Sequence, residues 1–233
     1  MYRITNPNID ILELAVERLG QLVDKMVFLG GCALGMLLSD VGAPPIRFTQ
    51  DVDVITEVAN LTDYYKLSDQ LSKRGFHEDT SEDAPICRWK ATDIILDVMP
   101  TNPDILGFGN QWYQPAFEAA EEMELPSGKR IRMVSAPYFV ASKFAAFDSR
   151  GGGDYLISHD IEDIVAVLDG RPEVVVEVRH IVGELRQHLI ERFQTLMDND
   201  DFMDALPGHL PPDSGSQERV PIVIERIEAI AGL

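Results

Sequence analysis

Asp51 and Asp53 frame an acid-x-acid triplet within Thr49-Gln50-Asp51-Val52-Asp53-Val54-Ile55. Acidic and β-branched residues alternate there as they do in a strand with one polar face. Residues two apart on a strand point the same way, about 6.5 to 7 Å apart at Cα, so both carboxylates can reach one cation. Hard divalent ions such as Mg²⁺ are held by one or two carboxylates together with substrate phosphates, which suits the triplet to chemistry at phosphorus. Taken alone, such a triplet more often sits in a solvated loop than at a metal, so its companions decide. Upstream, Phe28-Leu29-Gly30-Gly31 sets two glycines between an apolar run and a helical pattern. Bare backbone N–H groups and a positive helix end can approach a phosphate there, although a plain strand-to-helix turn has the same composition. Downstream, Ile95-Leu96-Asp97-Val98-Met99 embeds a carboxylate in an apolar strand, where a charge is costly unless it is paired or binds a metal. Asp93 shares its strand parity but falls at the turn of a hairpin.

The elements that must carry these residues follow from periodicity. Ile9, Leu12, Val16, Leu19 and Val23 predict an amphipathic helix from Asn8 to Lys25. Met26 to Leu29 is a short strand, Cys32 to Ser39 a helix, and Asp40 to Gln50, with Gly42 and Pro44-Pro45, a loop. The acidic strand Asp51 to Ile55 comes next, then a helix from Leu61 to Arg74 that stops at Gly75. Ile86 to Lys90 and Ile94 to Met99, joined by Ala91-Thr92-Asp93, form one hairpin, and Glu122 to Leu125 with Arg130 to Val134 form another. Beyond residue 135 the pattern turns helical: Tyr138 to Phe147, a stripe through Ile161, Ile164, Val165 and Leu168, then Val174 to Met197 and Ile222 to Ile230. An α/β part over 1–134 and a helical part over 135–233 are expected.

A glycine turn, a helix, paired aspartates on a strand and a third aspartate on a later strand, in that order, resemble the polymerase-beta nucleotidyltransferase superfamily. Phe28-Leu29-Gly30-Gly31-Cys32-Ala33-Leu34 with Thr49-Gln50-Asp51-Val52-Asp53 is similar to the AbiEii/AbiGii-type nucleotidyltransferases, which include abortive-infection toxins and the MenT toxins. Ser142-Lys143-Phe144-Ala145-Ala146-Phe147-Asp148-Ser149-Arg150 and His159-Asp160-Ile161-Glu162-Asp163-Ile164 resemble that family's Lys-x-x-Ala-x-x-x-Arg and Asp-x-x-Asp-Leu elements. Two departures are insertions: the gap between Gly31 and Asp51 is longer than the family usually shows, and Gly151 to Leu156 lengthens the path from Arg150 to Asp160.

The resemblance implies an α+β fold, a mixed sheet flanked by helices, with a mostly helical C-terminal region completing the active-site cleft. It implies that Asp51, Asp53 and Asp97 hold two Mg²⁺ ions on a nucleoside triphosphate, with Gly30, Gly31 and Thr49 near the phosphates. An acceptor hydroxyl would attack the α-phosphorus and release pyrophosphate, with Asp97 closest to the role of base. Lys143 would neutralise phosphate charge, and Asp160 would orient Lys143 or the acceptor. The toxin branch implies an RNA acceptor such as tRNA and a cognate antitoxin, while a small molecule or a protein side chain stays open as acceptor. The alternative is a non-catalytic nucleotide-binding or protein-interaction module on the same fold.

Composition narrows the setting. A net charge of −19 repels polyanions at long range and disfavours general nucleic-acid binding. No apolar run is long enough to cross a bilayer, and Met1 to Pro7 carries no apolar leader core, so a cytoplasmic protein without a membrane partner is expected. Cys32 and Cys87 sit in apolar surroundings that suit buried thiols rather than a disulfide or a thiolate metal cage. His159-Asp160 suggests a phosphohydrolase metal pair, but no helix-spaced histidine supports it. Arg88-Trp89-Lys90 could stack a base and reads more simply as a half-exposed strand. Asp198 to Asp201 lacks calcium-loop spacing and reads as a solvated helix end. Gly151-Gly152-Gly153 reads as a connector rather than a phosphate cradle.

Overall fold

Met26–Leu29 is buried at every position, and this apolar run forms strand β1 in the interior of a seven-stranded mixed sheet. The structure is a computed structural model that describes residues 6–150 and 153–233. Met1 to Thr5, part of the segment read as carrying no apolar leader core, and Gly151-Gly152 of the triple-glycine connector lie outside the described residues. The other strands are β2 (Asp51–Thr56), β3 (His77–Glu78), β4 (Arg88–Ala91), β5 (Ile94–Pro100), β6 (Glu121–Glu124) and β7 (Arg130–Met133), in the spatial order β3-β4-β5-β2-β1-β7-β6. β2 runs parallel to β5 and antiparallel to β1, so both acidic strands lie side by side in the middle of the sheet. The fold is α+β, with helices flanking the sheet and a helical C-terminal region.

The chain packs as two compact units, a sheet unit of residues 6–36 and 47–135 and a helical unit of 37–46 and 136–233. The sheet unit carries α1 (Ile9–Leu19), α2 (Gly30–Leu37, its last residue in the helical unit), α3 (Leu61–Lys73) and α4 (Tyr113–Glu118). Leu12, Ala15, Val16 and Leu19 give α1 its buried stripe. The expected helix to Lys25 ends at Gly20, whose φ of 55° belongs to the left-handed region, and Gly20–Lys25 continues as a 3₁₀ turn. Asn60 caps α3 by accepting from the Asp63 N–H at 3.0 Å.

The helical unit holds α5 (Ala136–Arg150), α6 (His159–Gly170), α7 (Val174–His180), α8 (Glu184–Met197), α9 (Asp200–Ala205), α10 (Ser214–Gln217) and α11 (Val220–Ala231). The helical patterning expected over Val174 to Met197 is carried by two helices, interrupted from Ile181, which is extended, to Gly183, where φ is 84°. Periodicity persists across such a break because it reports which face is buried and not whether the backbone is continuous. Phe144 of α5 meets Phe193 of α8 edge to face at 5.3 Å, and the Arg192 guanidinium covers the Phe144 ring at 4.8 Å. Asp198 to Asp201 lies at a helix start: Asn199 caps α9 by accepting from Phe202 N–H at 2.9 Å. Among the described residues no helix is long and apolar enough to cross a membrane.

Candidate functional site

Strand register brings the three predicted acids together. Asp53 on β2 stands opposite Asp97 on β5, and Asp97 stands opposite Arg88 on β4. Directly paired residues share a face, and Asp51 lies two residues before Asp53, so Asp51, Asp53, Asp97 and Arg88 project from one side of the sheet. Val52, Val54, Leu96, Val98 and Trp89 point the other way and are fully buried or nearly so. That burial fixes the parity, because a one-residue slip would push the acids into the core. It also removes Trp89 as a stacking platform. Asp93 is exposed at the tight turn between β4 and β5.

The glycine turn abuts the acids. Leu29 pairs with Asp53 across β1 and β2, and Gly30 follows with φ 72°, opening α2. A β-carbon built on Gly30 would overlap the Asp53 carboxylate, so glycine is required both by the backbone and by this close approach. A β-carbon on Gly31 would come within 2.9 Å of Arg47 Nη2 and 3.7 Å of Thr49 Cγ2. The glycines, Arg47 and Thr49 therefore crowd the N-terminus of α2, beside the acid row. The Thr49 hydroxyl donates a short hydrogen bond to Asp51 Oδ1.

Two residues of this site escape reading by composition. Asn8 is wholly buried, and its side chain donates to the Gly31 carbonyl at 3.2 Å and the Arg47 carbonyl at 3.1 Å while accepting from Thr49 N–H at 3.0 Å. One amide thus ties the glycine turn to the segment that feeds β2. Nothing local announces it, since the contact to Thr49 spans 41 positions. Asn8→Ala leaves buried backbone groups unpaired and is expected to cost about 2 to 3 kcal/mol, read by urea unfolding. Asn8→Asp keeps the acceptor, loses the donors and adds an anion near Asp51, so it is expected to rescue little.

Arg88 is the second. Nε donates to Asp97 Oδ1 at 2.8 Å and Nη2 to Asp97 Oδ2 at 2.7 Å, while Nη2 approaches Asp51 Oδ2 at 3.4 Å. Hydrogen bonding to Asp97, only partly opposed by burial, drives the guanidinium pKa further up, so Arg88 stays charged. A signal did exist. A two-residue turn at Thr92-Asp93 sets Ala91 opposite Ile94 and, counting outward, Arg88 opposite Asp97.

The neighbouring thiols report the same negative field. Cys32 and Cys87 are both buried and unbridged. Burial, with Asp53 and Asp51 nearby, pushes the Cys32 thiol well up, and burial with Asp97 and Asp53 pushes Cys87 to about 12.

Lys143 and Asp160 lie in the helical unit and face each other there. Lys143 Nζ is 3.3 Å from Asp160 Oδ1 and 2.6 Å from Asp163 Oδ2, all three side chains being almost fully buried. Arg150 also grips Asp160, with Nη2 at 3.0 Å and Nε at 3.1 Å. Burial pushes the Asp160 carboxyl up, but the Arg150 hydrogen bonds and the charges of Lys143 and Arg150 outweigh it, and the net displacement is downward. His159 pairs with Glu162 on an exposed surface, at 3.0 Å.

No family model matches this chain, and no curated protein matches it either. Among solved structures, the crystal structure of JHP933 from Helicobacter pylori matches with a TM-score of 0.48 at 12% identity, over 97% of this chain and 92% of that one.

The acids fit a hard divalent cation by chemistry: carboxylate oxygens on one face, with a cradle at Gly30 that a β-carbon would fill. Among the described residues no three His, Cys, Asp or Glu side chains converge into a ready-made cage.

Proposed function

We propose that the chain is a Mg²⁺-dependent nucleotidyltransferase that moves a nucleoside monophosphate from a triphosphate to an acceptor hydroxyl. The observation that carries this reading is the register that sets Asp53 against Asp97, with Asp51 on the same face and the Gly30 turn against the Asp53 carboxylate. Three acids on neighbouring strands are costly for a sheet whose only task is to fold. Asp51, Asp53 and Asp97 would hold the metal, which when bound withdraws charge from the triphosphate oxygens and lowers the pKa of the acceptor hydroxyl. The backbone N–H groups at the start of α2, with Arg47 beside them, supply donors for phosphate oxygens. The acceptor oxygen bonds to the α-phosphorus, the bond to the bridging oxygen breaks, and pyrophosphate leaves with the electron pair. Asp97, expected as the proton acceptor, has both oxygens engaged by Arg88, so taking a proton there requires Arg88 to turn away. The 3.3 Å contact between Lys143 and Asp160 supports the part of the reading in which Asp160 orients Lys143.

The test is incubation with each α-labelled triphosphate, Mg²⁺ and either total RNA or a protein lysate. Covalent label in RNA, in protein or in a small product identifies the acceptor class, and its loss in Asp53→Ala ties transfer to this site. A second reading, a nucleotide-binding module without turnover, draws on Arg88, which neutralises Asp97 with no metal. Tight, Asp53-independent triphosphate binding with no transfer in any mixture would favour the module.

A further inference from the structure

Three carboxylates and the Arg88 guanidinium share the acid face, with Arg88 on β4 at the outer flank of the row, reaching inward over Asp97. Its fork closes on Asp97 at 2.7 and 2.8 Å, and the same Nη2 leans towards Asp51 at 3.4 Å. The pair is largely withdrawn from water, with 23% of the Arg88 side chain and 9% of the Asp97 side chain exposed. A planar fork matches a carboxylate at two points and holds it more firmly than an ammonium can. Lys90, two residues along β4 and of the same parity, carries the same charge but is drawn away to Asp79 at 2.6 Å. Position rather than net charge therefore distinguishes Arg88.

We propose that Arg88 is the resident counter-cation of the acid row and competes directly with a divalent ion for Asp97. Before metal arrives it offsets the repulsion between Asp97 and Asp51, the two acids it touches. For Asp97 to join the other two acids on a metal, the fork has to open. This rests on the metal-dependent reading above and adds to it a positioning residue whose departure is a step in assembling the site. The competition is reciprocal, since whatever tightens the fork weakens the metal by the same factor.

The test is Mn²⁺ binding without nucleotide, read from the electron paramagnetic resonance signal of the free ion, for the wild type, Arg88→Gln, Arg88→Lys, Lys90→Gln and Asp53→Asn. Arg88→Gln is expected to bind Mn²⁺ roughly tenfold more tightly than the wild type. Arg88→Lys, which keeps the charge but loses the fork, is expected to fall between them, and it carries the test alone if the glutamine variant does not fold. Lys90→Gln removes an equal charge without touching Asp97 and is expected to change affinity by no more than about twofold. Equal tightening by Lys90→Gln and Arg88→Gln would mean a general field effect and would overturn the competition. Mn²⁺ binding that is lost in Asp53→Asn yet indifferent to Arg88 would overturn the competition and leave the metal site standing. If no variant shows Asp53-dependent Mn²⁺ binding, the competition and the metal-dependent reading fall together.

Discussion

Asp53→Asn is expected to abolish nucleotidyl transfer, by on the order of 10³-fold or more, while leaving the protein as stable as before or slightly more so. The two effects separate because of where Asp53 stands. It pairs across the sheet with Asp97 and lies two residues from Asp51 on the same face, so two like charges act on it alongside its other contacts. Like charges directly opposite on neighbouring strands cost roughly 0.2 to 1 kcal/mol, and an amide of the same shape relieves that repulsion while still filling the space beside Gly30. Thermal melting in metal-free buffer should show an unchanged or higher Tm, and α-label transfer should be at background. A residue kept for stability gives the opposite pattern, with Tm and activity falling together. Transfer that survives the substitution would remove Asp53 from the chemistry, and the proposed reaction would fall with it.

How far the site could be read from sequence depends on the range of the forces that build it. The β1 run, the glycine turn and the alternation through Asp51 and Asp53 are local patterns, and the buried valines between the acids fix which way they face. Asp97 stands out for a related reason: a carboxylate within Ile95-Leu96-Asp97-Val98-Met99 has to face a partner. Arg88 turned on one residue of the hairpin: with Ala91 counted in the turn it falls opposite Leu96, whereas Ala91 pairs with Ile94 and so sets Arg88 opposite Asp97, and the composition of Arg88-Trp89-Lys90 draws attention to the aromatic, whose side chain is turned into the core. Asn8 could not be read at all, because an amide bridging Gly31, Arg47 and Thr49 is a product of tertiary packing and leaves no periodic trace. The helix breaks at Gly20 and Gly183 show the other failure, in which a continuous apolar stripe hides a left-handed residue. In the helical unit, Lys143 lies 3.3 Å from Asp160, and its shorter contact is to Asp163, to which no role had been given.

That shorter contact carries the largest expected stability effect. Lys143 Nζ stands 2.6 Å from an Asp163 side chain with no exposure and 3.3 Å from Asp160, itself only 6% exposed. Removing one partner of a buried ion pair leaves a charge without its counter-ion and typically costs about 3 to 5 kcal/mol, a large share of a domain's stability. Lys143→Met keeps the apolar stem beside Phe139, whose ring centre lies 5.6 Å from Nζ, so the loss should come from the missing charge rather than from a cavity. Urea unfolding near neutral pH should show that loss, and Lys143→Met combined with Asp163→Leu should recover most of it, because two apolar groups can replace a buried pair at little cost. Acidification gives a second readout. The folded-state pKa of Asp160 lies below the ordinary 3.8, so its stabilising contribution is complete above that value and disappears as pH falls through the lowered one. Lys143 is one of the charges holding that carboxyl down; without it, burial pushes the folded-state pKa back up and the contribution disappears at a higher pH. The Lys143→Met variant should therefore begin acid unfolding at higher pH than the wild type in a Tm titration. If the double variant is no more stable than Lys143→Met alone, the ion pair is not what the helical unit loses, and the cost lies in packing around the stem.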